Sequence, residues 1–317
     1  MGMIAVDHRQ VAAFADFFRA ASDVKAFDFC HTPPPAIFPP AHGAGVLEYV
    51  FFNAGHQFGF WRLENDRYAG PMLAVVDGHQ RKGSDYVSYC LTRAWRENAD
   101  VFMPASVSAV DWNKVFRDDE GRNPLPMWEE HVAIISRYAN WFAERATTPA
   151  ELVARANAAE RPLATLLAEA GTIPGYVEDP LRKKLFLLAI MLENRPEKFL
   201  RVTDPESYEP IIDYHLQRSA LRAGLVRVED ASVRAALVER RVVPAEVEGR
   251  IRQAVFDALC EVVRLSGRSV AAVDYFFFMN RRRCPEMSQP ECERCPVQSI
   301  CAQEVDLFQP VFRTTFY

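Results

Sequence analysis

Four cysteines carry the most specific chemical signal in this chain. Cys284, Cys292, Cys295 and Cys301 are separated by seven, two and five residues, with Pro296 after the third and the basic run Arg281-Arg282-Arg283 before the first. Four thiolates in so compact a loop suit a [4Fe-4S] cluster or a structural zinc, and with all four ligand positions filled either metal braces the fold. A second stretch, residues 211–226, offers a carboxylate. Its Leu216, Ala220 and Ala223 recur at helical spacing, which puts Asp213 at or just before a helix start, aimed along the axis and away from the packing face. Asp213 reads as a reactive group or as an N-cap accepting backbone N–H bonds, and one residue can be both. His215 reads as a donor to a leaving group or phosphate, or as a core or surface histidine.

These groups need elements to hold them. From Trp128 onward the pattern is helical, with helices expected over 128–145, 149–158, 162–170, 180–193, 208–224, 231–240, 244–265 and 269–280. Pro149, Pro162, Pro180 and Pro244 suit first-turn positions of four of them. Upstream, residues 8–25 place Val11, Phe14, Phe17 and Phe18 on one helical face, and residues 85–95 form another helix. Pro33 to Pro40 must run extended. Residues 47–61, rich in aromatic and β-branched side chains, are expected to join residues 72–76 and the turn Asp77-Gly78 in a small hairpin or sheet. Phe51, Phe52, Phe58, Phe60 and Trp61 read as an aromatic core or as a wall on which a planar base can stack.

Composition narrows the function classes. With 317 residues, 49% of them hydrophobic, the chain can bury a large core in one or two packed domains. A net charge of -5 supplies no global basic field for duplex DNA, so a nucleic-acid polymer is disfavoured as partner and a small molecule preferred. No apolar run is long enough to span a membrane and no signal peptide is visible, so a soluble cytoplasmic protein is expected. In that reducing compartment clustered cysteines read as metal ligands, while the scattered Cys30, Cys90 and Cys260 read as small buried hydrophobes.

The cysteine loop resembles the six, two, five loop of endonuclease III-type glycosylases, which favours iron–sulfur over zinc. In that helix-hairpin-helix superfamily an Asp-x-His-x-x-Arg segment followed by Arg-x-Gly-Leu carries the catalytic aspartate, and Asp213, His215, Arg218, Arg222, Gly224 and Leu225 are similar to it. The hairpin segment Ile173-Pro174-Gly175-Tyr176-Val177 has the first glycine of the motif without the second, and no lysine stands at the Schiff-base spacing, which argues against a DNA lyase.

A broader resemblance, covering most of the chain, is to the queuosine salvage family, N-glycosidases that release queuine from a queuosine nucleotide. It rests on Gln57-Phe58-Gly59-Phe60-Trp61, on Gly83 through Thr92-Arg93-Ala94, on Leu125 to His131, on Arg182-Lys183-Lys184, on Ile212 through Gln217, on Glu246 to Arg250, on Val273-Asp274-Tyr275-Phe276 and on the aromatic segment 312–317. The resemblance implies a mainly α, two-lobed helix-hairpin-helix-like fold with a small N-terminal hairpin or sheet and a C-terminal cluster loop. Residues 1–125 would form a base-binding wall, 126–280 a helical core, and 281–317 the four-cysteine loop and tail. It implies a hydrolase of N-glycosyl bonds in which Asp213 stabilises an oxocarbenium-like transition state and activates water. Phe58 and Trp61 would sandwich the deazapurine, His56 or Gln57 would read its edge, Lys183 would hold a 5′-phosphate, and Tyr214, His215 and Asp274 would complete the pocket. The alternative is an iron–sulfur DNA glycosylase or nucleic-acid-binding protein whose Arg281 to Arg283 grip phosphate.

Overall fold

The computed structural model describes residues 4–317, and the described chain is mainly helical with three small strand pairs. In order it runs β1 (Ile4–Val6), α1 (His8–Ala20), α2 (Val46–Gly55), β2 (Trp61–Glu64), β3 (Arg67–Pro71), β4 (Leu73–Val76), β5 (His79–Lys82), α3 (Gly83–Glu97), α4 (Trp112–Val115), α5 (Trp128–Arg145), α6 (Pro149–Ala158) and α7 (Pro162–Ala170). There follow α8 (Lys183–Asn194), α9 (Tyr214–Ala223), β6 (Val226–Val228), α10 (Ala231–Val238), α11 (Ala245–Ser266) and α12 (Val270–Asn280). No described helix is long and apolar enough to cross a membrane.

The segments interleave into two compact units, the first formed by Met1–Phe27, Leu63–Gly70 and Glu209–Arg313, the second by Asp28–Arg62, Pro71–Tyr208 and Thr314–Tyr317. The three-part division expected along the sequence therefore runs across both units. In the first, β1 pairs antiparallel with β6, Ile4 opposite Val228, and α1 lies along α11. Its buried face is Val11, Phe14, Ala15 and Phe18, with Phe18 meeting Phe276 edge-on at 5.0 Å. Arg268 bonds the carbonyls of Phe18 (2.8 Å) and Arg19 (3.3 Å), satisfying orphan acceptors at the end of α1. Helix α9 packs against both α11 and α12.

In the second unit α2 packs against α3, α6 and α8. Thr148 and Glu151 form a reciprocal capping box at α6, with Pro149 at its first turn, and Pro162 opens α7 in the same way. The other two prolines fall differently: Pro180 precedes α8 by three residues, and Pro244 is the cap residue of α11. Arg195, 0% exposed, pins the proline-rich stretch by donating to the carbonyls of Phe29, Pro39 (3.1 Å) and Pro40 (3.3 Å). The hairpin at Asp77-Gly78 forms as expected, with Val76 opposite His79 in the β4–β5 pair. Residues 47–55 do not join it. They form helix α2, buried over most of its surface, because an apolar run enclosed on nearly every side loses the amphipathic period that separates helix from strand.

Candidate functional site

All ten residues of α9 are buried, although half of them are polar: His215, Gln217, Arg218, Ser219 and Arg222. Asp213 is its N-cap, and Oδ1 accepts the Leu216 N–H at 2.9 Å. The two readings of this residue are compatible, since the cap uses one oxygen. Oδ2 has no hydrogen-bond partner among the described residues, and Asp213 is half-buried where the helix it leads into is sealed. Arg252 Nε donates to the Ile212 carbonyl at 3.1 Å and so fixes the backbone just before the carboxylate. Tyr214 follows, 5% exposed, and burial pushes its hydroxyl far above the ordinary phenol range, leaving a neutral donor. Asp274 stands half-buried on α12, the helix packed against α9.

His215, Arg218 and Arg222 recur at spacings of three and four and share a face of α9, which meets the cysteine loop. Arg218 Nη2 approaches His215 Nδ1 at 3.0 Å. A guanidinium only donates, so towards Arg218 it is Nδ1 that accepts, while Glu286 Oε1 stands 3.4 Å from the same nitrogen. Glu286, two residues beyond Cys284 and 3% exposed, also lies 3.7 Å from Arg218 and accepts from the Tyr68 hydroxyl. Arg218 Nη1 also donates to Gln309 Oε1 at 2.8 Å. Here sequence reasoning missed Tyr68, Glu286 and Gln309. The three-and-four spacing of long basic residues on a helix otherwise buried was the available signal, since such residues require buried acceptors.

The four cysteines line one cavity of about 40 Å³, with Ser219, Ala223 and Asn280 in its wall. The volume exceeds that of a single water site. Sulfur is met by polar partners: Arg222 Nη1 lies 3.3 Å from Cys284 Sγ, the Gln303 N–H 3.4 Å from Cys301 Sγ, and the Asn280 amide 3.6 Å from Cys295 Sγ. Such bonds to sulfur are how a protein tunes a metal–thiolate centre. Burial, and then the neighbouring sulfurs, push the Cys292 thiol up, and burial raises that of Cys301, so a cation is what would let these groups ionise together. Among the described residues no three His, Cys, Asp or Glu side chains stand at the spacing that holds a metal ion. The donor set, four thiols around one cavity, fits a four-thiolate centre in kind, and such a centre would supply bracing, with no position for substrate.

The remaining expected site residues gather in the second unit, as an interior cluster. Phe58 is 0% exposed; His131 stacks on its ring at 4.1 Å and the Lys184 ammonium lies 4.7 Å from its centroid. Phe51, Phe52 and Phe60 are also buried, and Trp61, opening β2, is 9% exposed. Of the two readings of this aromatic cluster the structure places Phe58 in the core, fully buried with His131 and Lys184 against its ring. Gln57 Nε2 donates to Asn53 Oδ1 at 2.7 Å, so its amide is engaged inside the fold. Lys183 Nζ donates to the Gln57 carbonyl at 2.9 Å and Lys184 Nζ to that of Gly55 at 3.3 Å. The lysine pair is buried and satisfies carbonyls at and just beyond the C-terminal end of α2, where cations are favoured. His56 Nδ1 lies 2.9 Å from His131 Nδ1, and His131 Nε2 is buried without a partner. Burial first, then the Lys184 charge, depresses the His131 pKa to about 3, and burial brings Lys184 down to about 7.

Set against known proteins, the chain matches no family model and no curated protein.

Proposed function

We propose that this protein is an N-glycosidase that hydrolyses the base–ribose bond of a modified, 7-deazaguanine-type nucleotide, with Asp213 as the catalytic carboxylate. The observation that carries the reading is the state of that side chain: one oxygen tied to the start of α9, the other without a hydrogen-bond partner, at the half-buried entrance to a helix that is otherwise sealed. Breaking the bond between C1′ and the base nitrogen leaves the electron pair on the base and positive charge on the ribose. A fixed carboxylate beside C1′ stabilises that charge and accepts a proton as the water oxygen bonds to C1′, while the departing base takes up a proton. The anion needs no other covalent chemistry. A mononucleotide substrate also suits a chain of net charge -5, which has no excess of cations to neutralise a polymer backbone.

The test is release of free base from queuosine, from its 5′-monophosphate and from duplex DNA carrying a modified base. Asp213→Asn is the decisive variant, because asparagine caps a helix about as well as aspartate and the fold is kept. A fall in rate of roughly 100-fold or more with an unchanged melting curve is expected. Parental rates in Asp213→Asn sink the assignment, and release from duplex DNA with none from the nucleotides replaces it with a DNA glycosylase.

A further inference from the structure

Arg222 is a buried cation whose partners do not balance it. It is 5% exposed; Nε donates to the Leu307 carbonyl at 2.8 Å, and Nη1 to the Pro285 carbonyl at 2.9 Å and to Cys284 Sγ at 3.3 Å. No carboxylate lies within ion-pair distance of it among the described residues. Two neighbouring guanidiniums deepen the imbalance. Arg218 takes Glu286 and Gln309, and the half-buried Arg240 has its pKa lowered by burial and then by the charges of Arg222 and Arg218. Three guanidiniums thus share one buried carboxylate, and a buried positive charge left in that state is costly.

The group that Arg222 does touch is the Cys284 sulfur, one of the four gathered round the same cavity. A zinc ion or a [4Fe-4S] core of charge two, held by four thiolates, carries two net negative charges, which is the sign this corner lacks. Asn280 offers a second contact, its amide 3.6 Å from Cys295 Sγ at the end of α12. The loop is also laced to the helix that bears Arg222: Ala302 N–H bonds the Ala223 carbonyl at 3.2 Å and Glu304 N–H the Arg222 carbonyl at 3.0 Å. We propose that Arg222 is the counter-charge and positioning residue of a four-thiolate metal centre at Cys284, Cys292, Cys295 and Cys301, with Asn280 as its second sulfur partner. This inference rests on the metal reading of the cysteine loop and is independent of the assignment of Asp213.

The parent, Arg222→Gln, Arg222→Lys and Asn280→Ala are purified anaerobically and reconstituted with iron and sulfide, or with zinc alone. Metal loss to a chelator is then followed, and thermal unfolding is recorded for loaded and stripped forms of each. Arg222→Gln is expected to lose metal roughly 10- to 100-fold faster than the parent, Asn280→Ala about 10-fold faster, and Arg222→Lys, which keeps charge but not the fork, at an intermediate rate. The unfolding shift caused by Arg222→Gln should be larger in the loaded form than in the stripped one. Equal metal loss, or an equal shift in both forms, makes Arg222 a packing residue and overturns the proposal. If Arg222→Gln does not accumulate, Arg222→Lys decides, and loss at the parental rate overturns it. A parent that takes up neither iron nor zinc overturns the metal reading and this inference with it, whereas a loaded parent with an indifferent Arg222 overturns only the latter.

Discussion

Helices α9 and α2 each sit at the heart of their unit, and they bury opposite kinds of surface. Helix α2 is apolar, with Phe51 and Phe52 at 0–1% exposure, and the ammonium groups of Lys183 and Lys184 donate to carbonyls at and just beyond its C-terminal end. Helix α9 brings two arginines and a histidine into the interior, and Arg218 among them meets Glu286 and Gln309. Burial of a basic group is thus handled in two ways. Around α2 burial loosens the hold on protons, depressing the pKa values of His56, His131 and Lys184. Around α9 charge is retained and must be answered by charge, a solution suited to a region built to carry ionic groups.

The comparison breaks first at Glu286. Glu286→Ala leaves Arg218 buried without its carboxylate and should cost about 3–5 kcal/mol in denaturant unfolding; a loss below about 1 kcal/mol would mean that the arginines do not depend on it. Acid should strain the other region instead. His131 has a folded pKa of about 3 against an ordinary 6.5, so the unfolded chain binds the proton first. Stability contributed by the neutral ring is present above pH 6.5 and is lost as pH falls towards 3, by an amount on the order of 5 kcal/mol. His131→Phe should flatten that part of the profile, and an unchanged acid limb counts against the neutral histidine pair.

A smaller effect is expected at Gly224, the residue ending α9 with φ of 79°. A Cβ there would stand 2.6 Å from Ala302 Cβ, beside Cys301, so Gly224→Ala should cost about 1–3 kcal/mol and loosen the cysteine loop. The least disruptive test is Lys184→Met, which replaces a buried amine by an apolar side chain of similar length and should not destabilise the protein at pH 7. Its signature lies higher. Since the Lys184 amine titrates at about 7 when folded and 10.5 otherwise, the parent gains stability as pH rises between those values. The methionine variant should not, and an unaltered alkaline slope would show that Lys184 stays charged in the interior.

Helices of the second half were legible because their ends are written chemically. Thr148-Pro149 with Glu151, and Pro162, mark starts that the backbone then adopts, and Asp213 declares itself as a cap by the apolar spacing behind it. Helix α2 was misread as strand because Val50, Phe51 and Phe52 satisfy either conformation once both faces are covered. The four cysteines were plain from spacing, but their polar partners were not. Glu286 and Gln309 reach α9 from loop positions whose approach depends on the tertiary path. Lys183 and Lys184 look solvent-facing in sequence; only the position of the α2 terminus, whose carbonyls they satisfy, brings them inside.

The pairing of β1 with β6 fixes an order of events on the ribosome. Ile4 to Val6 find their partners only when Val226 to Val228 have been made, so α1 emerges long before the helices it must cover. Residues 28–208, contiguous but for the short piece assigned to the first unit, can meanwhile assemble almost completely. A truncation of the nascent chain near residue 208 should therefore give a protease-resistant fragment trailing a digestible leader, and the leader should become protected only in chains long enough to include α11.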